Sequence, residues 1–377
     1  MDKMYSLNEI GLLPSASPSP INSRKLVTPY VLHKRSGRVK LPIFVSPMPC
    51  IVNKENYMVF EKSLVQPILP RDTDLQGRID LCHKGYWVAM SLAEFKETYC
   101  KRTFTFNEYY QLKKHYEETG ASDHVCIDMS DGHMKDLVNA VAKAKSQYGN
   151  WLVVMVGNIG HPDMYVKLSE VGADYVRVGI GGGNACTTSV LTGVHASLPW
   201  LLDNISAVKR IYSSVDYNWK WANVVADGGI DTIDKAIKCL ALGADMVMMG
   251  KQFAQCEEAC GETVIKCEWK MPERPFMGEF LSDYSTITSV TYRRYFGNAS
   301  KEGQKALLGT DTKPSEGVST LVEVNTTLEK YTKQFEDALR SCMSLTGKSS
   351  LKEFIGRVDW RPMSIEEFKS FYKGNEG

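Results

Sequence analysis

The sequence predicts a single (β/α)8 barrel. Eight short apolar runs, rich in Val, Ile and Met, follow one another between residues 41 and 250. Helical patterns lie between them, and strands that are apolar nearly throughout are typical of a parallel sheet covered on both faces. The 377 residues are within the range of one large barrel. The alternative, an open doubly wound sheet, fits the alternation less well.

The eight predicted strands are residues 41–46 (LPIFVS), 65–69 (VQPIL), 86–91 (YWVAMS), 124–129 (HVCIDM), 151–157 (WLVVMVG), 175–180 (YVRVGI), 223–229 (NVVADGG) and 245–250 (DMVMMG). Between them, residues 133–149 and 161–173 carry apolar residues at spacings of three and four. Pro162 lies in a first turn, and Gly149 and Gly172 end these patterns, so both segments are predicted helices. Residues 231–244 repeat the scheme.

Three further segments frame this pattern. Residues 1–40, interrupted by PSASPSP, are predicted to form an extended N-terminal arm. Within a barrel domain of residues 41–347, the stretch 261–320 is rich in Gly, Thr and Ser and is predicted to be an irregular flap; such long loops are usually functional. An amphipathic helix is predicted over 326–347, and a tail of mixed charge follows at 348–377.

Charge and cysteine content exclude several classes of protein. The 45 Lys and Arg residues balance 44 Asp and Glu residues, which gives no electrostatic basis for binding nucleic acid or an anionic membrane. No apolar run approaches the roughly 20 residues that span a bilayer, and the N-terminus lacks a signal-peptide pattern, so we expect a cytoplasmic protein. The ten cysteines have no CxxC spacing, which indicates reduced thiols rather than a disulfide framework or a metal site.

Glycine-rich or acidic motifs follow the last three predicted strands: GIGGGNACTT (179–188), ADGGI (226–230) and MMGKQ (248–252). The loops after barrel strands meet at one rim, where active sites form. Glycines there let backbone N–H groups approach an oxyanion, and the N-terminus of a following helix adds a favourable dipole. Asp227, beside Gly228 and Gly229, can accept hydrogen bonds from a ribose. These motifs together predict a site for a sugar phosphate or a nucleotide.

Cys186 is the candidate nucleophile. A free cysteine is more often a small buried hydrophobe, and we assign that role to the other nine. Cys186 differs because it follows a glycine-rich turn whose backbone amides can stabilise a thiolate, the nucleophilic form. Thr187 and Thr188 offer hydroxyl groups that can relay a proton.

These motifs, together with VGNIG (156–160), resemble the IMP dehydrogenase and GMP reductase family over roughly residues 40–345. The resemblance implies that Cys186 attacks carbon 2 of a purine nucleoside monophosphate and forms a covalent thioimidate. It implies that Asp227 binds the ribose hydroxyls. The other implied substrate contacts are Ser46 and Met48 of SPMPC, Gly183, Gly228, Gly229, Gly250, Lys251, Gly297, Asn298, Lys313 and Gly317.

A nicotinamide cofactor is also implied by the resemblance. Asp128, in CIDMSDG, matches an aspartate that faces the nicotinamide ribose. The cofactor contacts are completed by Gly179 and Gly181, and by Arg71, which is placed to meet a cofactor phosphate. Dehydrogenases of the family bind potassium on carbonyls of the loop that corresponds to residues 181–186, and the sequence leaves this site open. Family members assemble as tetramers, so a homotetramer is implied.

Two reactions are known in this family. Dehydrogenases oxidise IMP with NAD and use an Arg-Tyr pair on a mobile flap to activate water, whereas reductases deaminate GMP with NADPH. Residues 297–316 contain neither Arg nor Tyr, and the CBS pair usual in dehydrogenases is absent. SEG at 315–317 resembles the reductase segment ASEG, which implies proton transfer by Glu316 and Thr188. We therefore expect an NADPH-dependent reductase.

Several departures from the family pattern leave the substrate open. Lys251 replaces a Ser or Gly beside the phosphate, Asn298 replaces a Met at the purine edge, and Lys313 replaces an Arg. Val318 stands where reductases have Lys, and Pro49 and Cys50 replace an Asp-Thr pair. GMP and dGMP, which would yield IMP and dIMP, are the expected substrates. The alternatives are IMP dehydrogenation with NAD, another 2-substituted purine nucleotide, and a nucleotide sensor without catalysis.

Overall fold

The computed structural model describes residues 4–18, 21–32, 37–101, 104–183, 188–213, 220–270, 286–310, 317–364 and 366–367. Its strands are β1 (Ile10–Leu12), β2 (Val31–Leu32), β3 (Val39–Lys40), β4 (Ile43–Val45), β5 (Gln66–Pro67), β6 (Trp87–Met90), β7 (Asp123–Ile127), β8 (Leu152–Ile159), β9 (Tyr175–Val178), β10 (Asn223–Asp227), β11 (Met246–Met249), β12 (Thr263–Lys270), β13 (Thr286–Phe296), β14 (Ser319–Glu323) and β15 (Trp360–Pro362).

The helices are α1 (Tyr57–Lys62), α2 (Leu75–Cys82), α3 (Leu92–Phe95), α4 (Phe106–Thr119), α5 (Lys135–Tyr148), α6 (Pro162–Glu170), α7 (Thr188–Thr192), α8 (Leu198–Ser213), α9 (Ile233–Leu242), α10 (Lys251–Ala254), α11 (Lys301–Leu308), α12 (Leu328–Leu345) and α13 (Leu351–Phe354). Within the described ranges, no helix combines the length and the apolar character needed to cross a membrane.

Strands β4 to β11 form a closed parallel barrel. Their order in the sheet is β5-β4-β11-β10-β9-β8-β7-β6. A parallel bridge between Leu69 and Val88 joins the two ends, with hydrogen bonds of 3.0 Å from Leu69 N to Trp87 O and 2.8 Å from Ala89 N to Leu69 O. All eight predicted strands are confirmed, and the barrel prediction is correct.

The alternation of side chains along each strand explains why the sequence runs are apolar throughout. Phe44 on β4 packs inside the barrel with Trp87 and Met155, whereas Ile43 and Val45 belong to the layer between barrel and helices. All of these side chains are buried. Because both faces of every strand are covered, neither face requires polar residues.

The predicted helix boundaries agree with the structure. Helix α5 is capped at its C-terminal end by Gly149, and α6 begins with Pro162 in its first turn. Helix α9 is capped by Gly243, which adopts a left-handed conformation. His161 caps α6 by accepting a hydrogen bond of 3.2 Å from Asp163 N. The amphipathic helix predicted at 326–347 is α12.

The N-terminal arm packs against the barrel. Strand β1 pairs antiparallel with β15 of the C-terminal tail, and Ile10 is fully buried. Lys238 on α9 donates a hydrogen bond of 3.0 Å to the carbonyl of Leu7, and Ser197 donates to the carbonyl of Tyr5. The described parts of the N-terminal arm and of the C-terminal tail are therefore joined to each other, and the arm is joined to the barrel.

The prediction that residues 261–320 are irregular is wrong for the part that the structure describes. Strands β12, β13 and β14 form an antiparallel sheet, and α11 follows β13. The buried Arg293 on β13 joins this sheet to the barrel by donating to the carbonyls of Ala254 at 2.7 Å and Gly261 at 3.2 Å. The end of β13 thereby reaches the rim where β11 ends.

A polar cluster lies at the opposite rim, where β7 begins. Asp123 is completely buried and has hydrogen-bonding partners on both carboxylate oxygens. His83 Nδ1 is 3.0 Å from Oδ1, and the Tyr99 hydroxyl donates to Oδ2 at 3.0 Å. The hydrogen bond with Asp123 raises the pKa of His83 above its usual value.

This raised pKa predicts that His83 contributes less to stability as the pH increases. The charged imidazolium is the form that Asp123 favours, so the contribution is complete below the unfolded-state pKa of about 6.5 and is lost as pH rises through the folded-state pKa. The free-energy difference between wild type and His83→Gln should therefore shrink from about pH 5.5 to pH 8. Urea denaturation at both pH values measures it.

Tyr99→Phe is the matched control for this experiment. It removes another hydrogen bond to Asp123, and burial raises the pKa of Tyr99 well above this pH range. Its cost should therefore be the same at both pH values. A His83→Gln cost that stays constant with pH would contradict the assigned coupling.

Candidate active site

A cavity of about 490 Å³ opens at the rim where the barrel strands end. It takes in most of the residues that the sequence analysis selected: Ser46, Met48, Arg71, Asp128, Gly179, Gly181, Gly183, Asp227, Gly228, Gly229, Gly250, Lys251, Gly297 and Asn298. Its volume is typical of pockets for small organic ligands. The loops after six different barrel strands and the segment after β13 converge on it.

One end of the cavity carries hydroxyl groups and a cation around Gly250. A Cβ placed on Gly250 would lie 3.1 Å from the Tyr295 hydroxyl and 3.5 Å from Ser46 Oγ, so these groups converge on the glycine. Lys251 also lines the cavity and makes no ion pair within the described part of the chain. Burial raises the pKa of Tyr295, so its hydroxyl stays a neutral donor. This end can bind an anionic group.

The glycines near this end are required by close packing of the backbone. Gly179 has a φ of +127°, and a Cβ there would lie 2.1 Å from the carbonyl oxygen of Asp227. Gly229 has a φ of +71°, and its Cβ would lie 2.7 Å from the Gly182 carbonyl. Larger residues at these positions would push the loops after β9 and β10 apart.

Helix dipoles, which the sequence analysis expected to favour an anion, contribute little to anion binding at this end of the cavity. Helix α10 contains only four residues after Gly250, and α9 begins at Ile233, four positions after Gly229. The dipole effect needs a helix of several turns and decreases beyond the first turn. Side chains and backbone N–H groups therefore provide most of the affinity for an anion here.

A network of ion pairs centred on Arg177 forms the middle of the cavity wall. This buried side chain on β9 donates from Nε and Nη2 to Asp227 Oδ2 at 3.1 and 2.9 Å. Its Nη1 atom donates to Asp128 Oδ1 at 3.2 Å. The guanidinium therefore lies between the carboxylates that end β7 and β10.

Arg177 keeps its charge despite its burial. Burial lowers the pKa of the guanidinium, but Asp227, then Cys126 and Asp128, raise it, and the net shift is upward. A buried ion pair that loses one partner leaves an uncompensated charge, which is strongly destabilising. Arg177 thus places a positive charge between the two carboxylates of this cavity.

Asp227 presents one carboxylate oxygen to the cavity. Its Oδ2 atom accepts three hydrogen bonds, two from Arg177 and one of 2.9 Å from Asn158 Nδ2. Its Oδ1 atom accepts none from the described residues. The carboxylate is thereby fixed in orientation, with one oxygen available to a ligand hydroxyl.

The Asp128 carboxylate has protein hydrogen-bonding partners on both oxygens, which the resemblance to the family did not imply. Oδ1 accepts from Arg177, while Oδ2 accepts from Arg71 Nε at 3.3 Å and from Asn298 Nδ2 at 3.1 Å. Both oxygens therefore have protein partners. The Asn298 bond comes from the segment after β13, so this segment is attached directly to a barrel strand end.

Some predicted site residues are outside this description. Cys186, Lys313 and Glu316 lie outside the described residues. Thr188 begins α7, and its side chain is likewise not described. Ser189 Oγ donates to the Gly181 carbonyl at 3.0 Å, which fixes the start of α7 against the glycine loop. Gly317 is described but is not among the residues that line the cavity.

Sequence reasoning missed several residues of the cavity wall, among them the polar side chains of Asn158, Arg177, Tyr295 and Gln304. Arg177 had a visible signal, because it is the one charged residue within an otherwise apolar strand. Asn158 lies in VGNIG, which was used only for the resemblance. Tyr295 and Gln304 fall in the segment that was predicted to be irregular.

The described residues include no cluster of three or more His, Cys, Asp or Glu side chains that could hold a metal ion. His133 instead accepts a hydrogen bond of 3.3 Å at Nε2 from Gly160 N. Groups in the lining that can contact a ligand include the Asp227 Oδ1 oxygen, the Lys251 ammonium, the Arg71 guanidinium, hydroxyls and backbone N–H groups.

The chain is similar to known proteins over most of its length. The family model described as IMP dehydrogenase / GMP reductase domain matches residues 105–367. A GMP reductase of Staphylococcus epidermidis is 28% identical over 325 residues, 85% of each chain. A GMP reductase of Helicobacter pylori is 27% identical over 362 residues, 95% of each chain.

A dehydrogenase is also similar, over a shorter stretch. The inosine-5′-monophosphate dehydrogenase of Chlorobaculum parvum is 32% identical over 231 residues, which cover 61% of this chain and 43% of the relative. The family match extends over more than half of the chain and includes the loops that follow β7 to β11, where the cavity lies. The protein is therefore an oxidoreductase that belongs to the IMP dehydrogenase / GMP reductase family.

Proposed function

We propose that the protein catalyses the NADPH-dependent reductive deamination of a purine nucleoside 5′-monophosphate, GMP or dGMP, to IMP or dIMP and ammonia. The observation that carries this proposal is the composition of the cavity. A cationic, hydroxyl-lined end at Lys251 and Tyr295 shares one cavity with the available oxygen of Asp227. A phosphate, followed by a ribose, has the chemistry to occupy these two positions.

The remaining lining suits a base. Met48, Ile230 and Met248 supply apolar contact area, and residues 297–299 add polar backbone groups. Pockets for small molecules commonly combine apolar walls with a few oriented polar groups. In this arrangement the phosphate binds at Lys251, the ribose hydroxyls bind Asp227 Oδ1, and the base lies towards the segment after β13.

Catalysis proceeds through Cys186 in this proposal. The thiolate adds to carbon 2 of the purine, and the amine leaves as ammonia after taking a proton from the Thr188 and Glu316 pair. The sulfur–carbon bond breaks when carbon 2 receives a hydride and the thiolate leaves. Overall, GMP, NADPH and two protons give IMP, NADP⁺ and ammonium. Gly183, three residues before Cys186, lines the cavity, which supports this assignment.

The cavity also has groups that fit a nicotinamide cofactor. Arg71 uses Nε in its hydrogen bond to Asp128, and its two Nη groups donate to no other described residue, so they can meet an anion. Ser130, Gly179 and Gly181 also line the cavity. When bound, NADPH supplies the hydride for carbon 2. In this proposal, these residues bind and orient the cofactor.

Two observations favour the reductase over the dehydrogenase. Residues 297–316 lack the Arg and Tyr that activate water in dehydrogenases. The similarity to the Helicobacter pylori GMP reductase covers 95% of both chains, whereas the similarity to the dehydrogenase leaves more than half of that protein unmatched. We also propose a cytoplasmic homotetramer, on the basis of the resemblance alone.

We predict that the protein consumes NADPH with GMP or dGMP and releases a purine nucleotide that has lost its 2-amino group. Absorbance of NADPH and mass analysis of the products measure this. Cys186→Ala should lose both turnover and the covalent nucleotide adduct, because no thiolate is present to attack carbon 2. Cys267→Ala, a change at an exposed cysteine on β12, should retain both.

Three results would contradict this proposal. Production of XMP from IMP and NAD would indicate the dehydrogenase. Tight nucleotide binding without turnover in either direction would indicate a sensor. A covalent adduct that persists in Cys186→Ala would show that another residue is the nucleophile.

Lys251 provides a separate test of how the phosphate binds. Hydrogen bonds to charged groups are worth about 1.5–3 kcal/mol, so Lys251→Ala should raise the KM for GMP by roughly 10- to 100-fold. The kcat should change little, because this contact is remote from carbon 2 and is equal in ground and transition states. Steady-state kinetics with GMP and with guanosine measure both parameters.

Lys333→Ala is the matched control. Lys333 is an exposed lysine on α12 that pairs with Asp337, so its loss should leave the KM unchanged. The phosphate assignment fails if Lys251→Ala leaves the KM for GMP at the wild-type value, or if it weakens guanosine and GMP equally.

A further inference from the structure

Asn298 links the segment after β13 to the barrel. Its Nδ2 atom donates to the carbonyl of Pro47 at 3.1 Å and to Asp128 Oδ2 at 3.1 Å. Residues 297–299 line the cavity, so these two bonds hold a part of the cavity wall in place. They join the segment after β13 to the loops after β4 and β7.

The other edge of the same amide is unsatisfied. Asn298 Oδ1 is buried and accepts no hydrogen bond from the described residues. A buried acceptor without a partner has lost its hydration without compensation, which is a free-energy cost. In the observed position, the Asn298 carboxamide uses its Nδ2 donor and leaves its Oδ1 acceptor without a partner among the described residues. A ligand that pairs with both atoms can therefore displace the side chain from this position.

Asp128 Oδ2 is already shared by two protein donors while Asn298 holds this position. It accepts hydrogen bonds from Arg71 Nε and Asn298 Nδ2. A ligand hydroxyl that is to donate to Oδ2 has to compete with these donors for the oxygen. Arg71 is held by charge as well as by its hydrogen bond, so Asn298 is the weaker competitor.

The 6-oxo edge of a purine matches both edges of the carboxamide. Guanine and hypoxanthine carry an acceptor at O6 beside a donor at N1–H, whereas adenine carries a donor at N6 and an acceptor at N1. A carboxamide can form a pair of hydrogen bonds with such an edge of a base. To do so, Asn298 has to turn away from Asp128 and Pro47 towards the cavity.

We propose that Asn298 exchanges partners when the nucleotide binds, and thereby couples the two ligands of the site. This inference rests on the proposed function. Nδ2 and Oδ1 move to O6 and N1–H of the purine, and Asp128 Oδ2 becomes available to a ribose hydroxyl of the nicotinamide cofactor. The nucleotide therefore strengthens cofactor binding, and by linkage the cofactor strengthens nucleotide binding by the same factor. Asn298 is thus a positioning residue for Asp128.

The experiment measures the Kd of NADP⁺ by calorimetry, alone and with saturating GMP, since this pair cannot react. In the wild type, GMP should strengthen NADP⁺ binding by about tenfold, a typical coupling factor. In Asn298→Leu and Asn298→Ala, NADP⁺ alone should bind as tightly as it does to the wild type with GMP, and the coupling factor should fall to about one.

Asn223→Ala is the matched control, because Asn223 is an exposed residue at the start of β10, at the opposite end of the barrel strands from the cavity. It should keep the wild-type coupling. A wild-type coupling factor of one, or coupling that is unchanged in both Asn298 variants, would overturn the inference and leave the proposed function standing. If GMP does not bind the wild type and NADPH is not consumed, the proposed function fails, and this inference fails with it.

Discussion

The buried guanidinium of Arg177 is the constraint on which the candidate site depends. It lies between Asp128, at the end of β7, and Asp227, at the end of β10. Two carboxylates with so little exposure would repel each other in a medium of low polarity, and removing the cation would leave both uncompensated. Arg177 therefore fixes the spacing of these strand ends, and with it the shape of the cavity wall.

The same network determines which oxygen atoms a ligand can use. Arg177 and Asn158 occupy Asp227 Oδ2 and leave Oδ1 without a donor among the described residues, so a ligand hydroxyl meets one acceptor in one orientation. Asp128 is different, because protein donors occupy both of its oxygens. The structure thus separates an acceptor oxygen that is open to a ligand from a carboxylate whose two oxygens already have protein donors.

The sequence was sufficient to predict the barrel, for a clear physical reason. A strand of a closed parallel barrel is covered on both faces, so it is apolar along its length, and eight such runs are visible without a structure. The glycine motifs were equally predictable, because Gly179 and Gly229 lie where a Cβ would collide with backbone. Local constraints of this kind determine which residue types occur at these positions, so they can be recognised in the sequence.

The parts that were missed depend on contacts between distant residues. Arg177 reaches Asp128 and Asp227 across 49 and 50 residues, and only closure of the barrel brings these side chains together. Strands β12 and β13 pair across residues 271–285, and their Thr, Ile, Val and Tyr content is typical of strands, but the glycine and serine residues around them suggested an irregular segment. The residue types of these segments indicated strands, but the glycine and serine content of the surrounding sequence led to the prediction of an irregular segment.

The charges of the described lining indicate which distribution of charge in a ligand fits the cavity. The described lining includes three cations, Arg71, Arg177 and Lys251, and two carboxylates, Asp128 and Asp227. Both carboxylates are already paired with the two arginines, so these four side chains are neutral as a group. Lys251 is the remaining cation, and it lies at the end where Gly250, Tyr295 and Ser46 converge. A ligand that is anionic at one end and neutral elsewhere, such as the nucleoside monophosphate proposed as substrate, would compensate this charge without disturbing the network that holds the strand ends together.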